Sequence, residues 1–113
     1  MKIRNKQRMH FTCQLNVVDR FTDQIIGQVL DMSPEGMMLI GEDRITTNKN
    51  LYLTMDLPEE IKGRTHLDFV ALSHWWKKAD EPGMYLTGFT LKSLEPADIE
   101  LINRLIEKFG APE

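Results

Sequence analysis

Hydrophobic and polar residues alternate through most of this chain, and only near its end does the spacing become helical. Phe11, Cys13, Leu15 and Val17 recur at every second position between His10, Thr12, Gln14 and Asn16, the pattern of a strand buried on one face. A polar turn at 20–23 leads to a second strand over 24–30. Residues 31–36 then punctuate the chain before a short apolar strand at 36–40. Leu51, Leu53, Met55 and Leu57 alternate again, and Pro58 is expected to end that strand because proline cannot donate to a ladder. The longest strand falls over 65–78, residues 79–83 form a turn, and 84–92 return as its partner. Six short antiparallel strands of this kind predict a small barrel, since closure removes exposed edges.

The last segment has a different period. Pro96 suits the first turn of a helix, with Asp98 and Glu100 near the positive end of its dipole. Ile99, Ile102, Leu105, Ile106 and Phe109 follow at helical spacing, and Gly110 is placed to cap the end. This apolar stripe is expected to pack on the barrel. The fold class is therefore all-β with a C-terminal helix: a six-stranded antiparallel β-barrel. The expected organisation is a single domain over 1–113, with an N-terminal arm at 1–9, the barrel at 10–92 and the helix at 95–109.

A length of 113 residues with 42% hydrophobic content fits one domain with an ordinary core. The formal net charge of −3 argues against a general binder of DNA or RNA, whose affinity rests on an excess of Lys and Arg. The exception is local: Lys2, Arg4, Lys6 and Arg8 place four positive charges in the first eight residues. Cys13 is the sole cysteine, so no intramolecular disulfide and no multi-cysteine zinc site can form, which fits a reducing compartment. The N-terminus has no apolar run of the signal-peptide kind, and no stretch approaches the roughly 20 apolar residues of a membrane span. A cytoplasmic location is expected. His10, His66 and His74 are scattered without metal-ligand spacing, and no nucleophile–base pair is apparent, so neither a metal, a cofactor nor enzymatic activity is expected. Of the adjacent Trp75 and Trp76, strand alternation turns one inward and the other outward, and Met37 and Met38 should divide in the same way.

Two short patterns carry candidate chemistry. Arg4-Asn5-Lys6-Gln7-Arg8 is an R-x-x-x-R sequence, and Asp31-Met32-Ser33-Pro34-Glu35-Gly36 is D-x-S-x-x-G at a strand-to-strand turn. Arginine suits phosphates and the O6/N7 edge of guanine, while a carboxylate suits the guanine N1–H and N2–H donors. Asp31 and Ser33, two apart on a strand end, leave the same face and can meet the edge of a flat heterocycle. Pro34 fixes one backbone angle, and Gly36 permits a positive φ or a close backbone approach. Taken singly, the first pattern also describes a solvated basic tail and the second a turn cap.

Together the two patterns resemble the signature of the PilZ domain, a bacterial receptor for cyclic di-GMP, and the resemblance covers nearly the whole chain. By average composition R-x-x-x-R arises by chance in roughly a third of chains this long, and D-x-S-x-x-G in about a few per cent. The resemblance implies that Arg4 and Arg8 bind the phosphates and Hoogsteen edges of the ligand's guanines. Asp31 and Ser33 would then hydrogen-bond a guanine, and Gly36 would shape the turn. It also implies a second-messenger receptor whose arm closes over the ligand and signals to a downstream protein in motility, exopolysaccharide or biofilm control. This sequence departs from the family in two places. Ile3 stands where another arginine is frequent, which favours one ligand per chain, and Leu91 stands where Gly88-Phe89-Thr90-Leu91 would more usually end in an aromatic residue. Trp75 matches a frequent strand tryptophan, for which a ligand contact and a barrel-wall role both stand open. The rival readings are a protein-interaction module of the same fold that does not depend on nucleotide, and a small-barrel nucleic-acid binder using the basic arm.

Overall fold

A computed structural model describes residues 9–111. Eight strands and one helix follow in chain order: β1 (Met9–Phe11), β2 (Asn16–Asp19), β3 (Ile25–Met32), β4 (Gly36–Gly41), β5 (Asn50–Ile61), β6 (Arg64–Lys78), β7 (Tyr85–Lys92), α1 (Pro96–Phe109) and β8 (Gly110–Ala111). Strands β2, β5, β6, β7, β4 and β3 pair in that order, and β3 pairs back to β2. The result is a closed six-stranded antiparallel barrel with a C-terminal helix, as the alternation predicts. Strand β1 adds to the far end of β3, and β8 adds to β1.

Local chemistry sets the corners. Lys62 and Gly63 both have positive φ, the two-residue turn whose twist matches that of the strands it joins. At 19–24 the Asp19 carboxylate accepts the backbone N–H groups of Phe21 and Thr22, and Asp23 takes the left-handed conformation (φ 64°). Leu15, Val17, Leu53, Met55, Leu67 and Phe69 point inward and are almost fully buried. Met37 is buried and Met38 half-buried, as the alternation requires.

Helix α1 closes the barrel end formed by the β5–β6 turn. The Asp98 carboxylate accepts the Glu95 N–H at 3.0 Å and the Arg64 guanidinium at 2.9 Å, so one side chain both caps the helix and ties it to β6. Lys62–Glu100 and Lys108–Glu59 ion pairs flank this contact. Among the described residues no helix is long and apolar enough to cross a membrane.

Several expectations are corrected. The strand expected through 11–17 keeps its inside–outside alternation, but its ladder breaks at 12–15, leaving β1 and β2 as separate segments. Pro58 does not end β5: the strand runs on to Ile61 through an irregularity in which the pairing with β6 lapses between Asp56 and Ile61, so no ladder bond is asked of the proline. Gly110 follows the helix in an extended conformation (φ −85°, ψ 153°) and starts β8. On the helix, Leu101, Ile102 and Leu105 are buried, whereas Ile99 is 37% exposed. Trp75 and Trp76 do take opposite faces of β6, but neither is a core residue, each being 39% exposed. Leu101→Ala is expected to cost about 2–5 kcal/mol in urea unfolding, as buried leucines do. Ile99→Ala should cost less than about 1 kcal/mol, because over a third of its surface stays in water in the folded chain.

Candidate functional site

Strand β3 ends in Asp31 and Met32, and the chain then reverses over two residues. The Ser33 N–H donates to the Gly36 carbonyl at 2.9 Å, the Gly36 N–H donates back to the Ser33 carbonyl at 3.3 Å, and Pro34 and Glu35 form the tip. Ser33 Oγ accepts the Glu35 N–H at 3.2 Å, and the Glu35 carbonyl accepts the Leu91 N–H from β7. The turn is thus anchored to the neighbouring strand and held from within by its serine. Gly36 is needed for proximity, not for a positive φ: a Cβ there would lie 2.9 Å from the Phe89 carbonyl oxygen.

Asp31 is 4% exposed and Ser33 6%, deep burial for two polar residues beside a turn. The structure therefore brings Asp31, Ser33 and Gly36 together on one strand end and turn. Arg4 and Arg8 lie outside the described residues. The first described residue, Met9, follows Arg8 directly and is paired with Met32, while His10 is paired with Asp31.

Reading across the sheet from Asp31 gives a row that the sequence alone does not reveal. His10 pairs with Asp31, Asp31 with Met38, Met38 with Gly88, and Gly88 with Trp75. Two bulges create this alignment. The β3–β4 register slips by one residue between Val29 and Asp31, and the β6–β7 register slips between Ser73 and Trp75. The Trp75 indole lies directly over Gly88, where an added Cβ would fall 2.4 Å from the ring. Lys77 Nζ stands 5.9 Å from the same ring centroid. His74, the extra residue of the second bulge, is exposed and hydrogen-bonds Thr90. The adjacent Gly88-Phe89 pair could have flagged the row; the bulge that aims Trp75 at it leaves no local sequence signal.

The remaining chemistry is sparse. Among the described residues, no three of His, Cys, Asp and Glu are grouped to hold a metal ion. Cys13 is half-buried, and burial pushes its thiol pKa above the usual value, against a smaller lowering by a backbone hydrogen bond. Leu91 is buried in the core, so the departure from an aromatic residue there concerns packing.

The PilZ domain model matches residues 2–108. No curated protein matches the sequence significantly. Solved structures share the fold at low identity. The Bacillus subtilis inhibitor of motility, MotI, superposes with a TM-score of 0.72 at 15% identity, over 96% of this chain and 52% of that one. MrkH of K. pneumonia in its apo state gives 0.68 at 11%, over 96% and 51%. Borreliella burgdorferi PlzA, solved in complex with c-di-GMP, gives 0.60 at 12%, over 93% and 52%. The chain thus spans about half the length of each.

Ser33→Ala removes the acceptor for the Glu35 N–H and should lower stability by about 0.5–1.5 kcal/mol in chemical denaturation, the usual net worth of one hydrogen bond. Because the thiolate is the reactive form, Cys13 is expected to react with a disulfide reagent more slowly at pH 8 than a free thiol. Its rate should still be rising at pH values where the free thiol has levelled off.

Proposed function

Because this chain belongs to the PilZ domain family, we propose that it is a receptor for cyclic di-GMP that signals by ligand-coupled rearrangement and performs no chemistry on its ligand. The observation that carries the reading is the register of β1 on β3: the residue after Arg8 is paired with Met32, and the next with Asp31. By their nearest members, Arg8 and Asp31, the two patterns lie 23 residues apart in sequence, and the pairing brings the residues that directly follow the first pattern against the strand end that begins the second. From Met9, Arg4 is five residues away and reaches no further than about 17 Å. That span is long enough for both guanidinium groups to reach a dinucleotide held at Asp31.

In this reading Arg4 and Arg8 take the phosphates and Hoogsteen edges of the guanines, as planar donor forks do. The Asp31 carboxylate accepts the paired N1–H and N2–H donors of one guanine, Ser33 adds a further hydrogen bond, and Gly36 keeps the turn close to β7. With Asp31 only 4% exposed, a guanine edge reaches its carboxylate only when the surrounding chain rearranges. A ligand that binds the rearranged state better shifts the population toward it, and a downstream protein can read the difference. The presence of Ile3 in place of a further arginine favours one ligand molecule per chain. Motility, exopolysaccharide and biofilm control are the outputs the family suggests, in keeping with the inhibitor of motility that shares the fold. A cytoplasmic receptor is the setting in which such a ligand is met.

Titration calorimetry with cyclic di-GMP is expected to give saturable binding at one ligand per chain. Arg8→Ala should weaken it at least about tenfold, the equivalent of the 1.5–3 kcal/mol typical of a charged hydrogen bond, with an unchanged thermal transition. Asp31→Asn, which keeps the size but loses the carboxylate, should weaken it comparably. Absence of binding at high micromolar ligand would instead establish a nucleotide-independent interaction module, and salt-sensitive retention of oligonucleotides would point to the basic arm as a nucleic-acid contact.

A further inference from the structure

The barrel has two ends, and their chemistry differs. One carries the Ser33–Gly36 turn and is covered by α1. The other is formed by the start of β3, the end of β4 and the start of β7, and Ile25 and Asp31 are separated along β3 by about 20 Å. At this second end a cleft of about 440 Å³ opens where β3 and β4 part. Its apolar lining includes Ile25, Ile40 and Met84, and its rim bears Glu42, Asp43 and Glu81. Ile25 is 61% exposed. Gly27 and Gly41 contribute the floor, where a Cβ on Gly41 would lie 2.5 Å from the Ile26 carbonyl oxygen and one on Gly27 2.8 Å from that of Ile40. The floor is thus bare backbone, and the space above it cannot be filled by substitution at either glycine.

An aromatic platform adjoins the cleft. Tyr85 pairs with the cleft residue Gly41 and meets Trp76 edge to face at 5.7 Å. The Arg44 guanidinium, next in the chain to Asp43, stands 5.2 Å from the Trp76 ring centroid. Trp76 shares a row with Thr87 and Leu39, both buried, yet is itself 39% exposed. Tryptophan, tyrosine and arginine are the residues that most often anchor protein interfaces. By contrast, among the described residues no ion pair or side-chain hydrogen bond engages the carboxylates of Glu42, Asp43 and Glu81, and no metal-binding grouping includes them.

We propose that this end of the barrel is a docking surface for a protein segment that presents lysine or arginine beside an aliphatic or aromatic side chain. Charge complementarity selects the partner: three carboxylates rim a recess floored by backbone and flanked by Ile25, Ile40 and Met84, so a basic side chain entering it meets the rim while its neighbour packs on Met84 and Trp76. The surface lies away from Asp31, so the segment docks with or without nucleotide, and the proposal stands independently of the ligand reading.

The test uses the full chain labelled with ¹⁵N and an acetylated dodecapeptide alternating leucine with lysine and arginine. Saturable shifts are expected at the amides of Gly27, Gly41 and Met84 and at the Trp76 indole N–H, while the matching leucine–glutamate peptide leaves them in place. The combined change Glu42→Gln, Asp43→Asn and Glu81→Gln should weaken binding at least tenfold without lowering the melting temperature. Trp76→Ala, which leaves every carboxylate in place, should weaken it severalfold. Equal binding of the two peptides, unchanged binding by the triple variant, or shifts confined to other faces would overturn the proposal. So would tighter capture of a peptide spanning residues 1–9 of this chain, which would make a second copy the occupant.

Discussion

Closure of the barrel rests on how β3 divides its two edges. One edge runs along β4 from Gln28 to Met32, while the other is shared in succession by β2, as far as Gln28, and by β1, at Asp31 and Met32. Buried backbone N–H and C=O groups must be paired, so a strand flanked on both sides can lie in a barrel wall only if each edge finds a ladder along its length. No single partner supplies the second edge. The chain meets the requirement with two short segments joined by the bend at 12–15, and in doing so delivers Met9, the residue after Arg8, to Met32 and His10 to Asp31. The geometry of the candidate site is therefore a by-product of satisfying one strand edge.

Bulges and glycines then decide which side chains the wall presents. An extra residue in β6 turns Trp75 onto the outer face, and Gly88, on the facing strand, leaves room for the indole to lie flat. Gly27 and Gly41 do the reverse at the other end, removing side chains where the two strands would otherwise collide. Each device costs some local stability, since glycine loses more chain entropy on folding than any other residue. The same devices shape the two surfaces to which ligand and partner are assigned here.

Much of this was legible in the sequence, and what was not shares one physical cause. Period-two alternation located the strands, because the inside of a barrel selects apolar residues one position in two. Asp31, Ser33 and Gly36 were legible because a two-residue reversal needs a turn chemistry that shows locally. The continuation of β5 past Pro58 was not, since it depends on β6 making no demand on the proline, a property of the partner. Which of Trp75 and Trp76 faces outward escaped for the same reason: a one-residue slip relative to β7 shifts the parity on which inward and outward assignments rest. The buried face of α1 was only partly read, with Leu101 buried and Ile99 turned toward water, because the helix lies across the end of the barrel and its register there is set by Asp98 and Arg64.

The bonds between Thr12 and Phe109 and the pairing of β1 with β8 join parts of the chain 97 to 101 residues apart. Contacts of such long range close the largest loop among the described residues and carry the largest closure entropy. They also involve strands of only three and two residues, which places them among the first to open when a native protein breathes. The surroundings of Asp31 thus hang on the two shortest of the described strands, beside a six-stranded ring built mostly of longer ones. A molecule that gripped both sides of that seam would add its binding energy to these short ladders, and so act on a local opening equilibrium without having to contend with the stability of the whole fold.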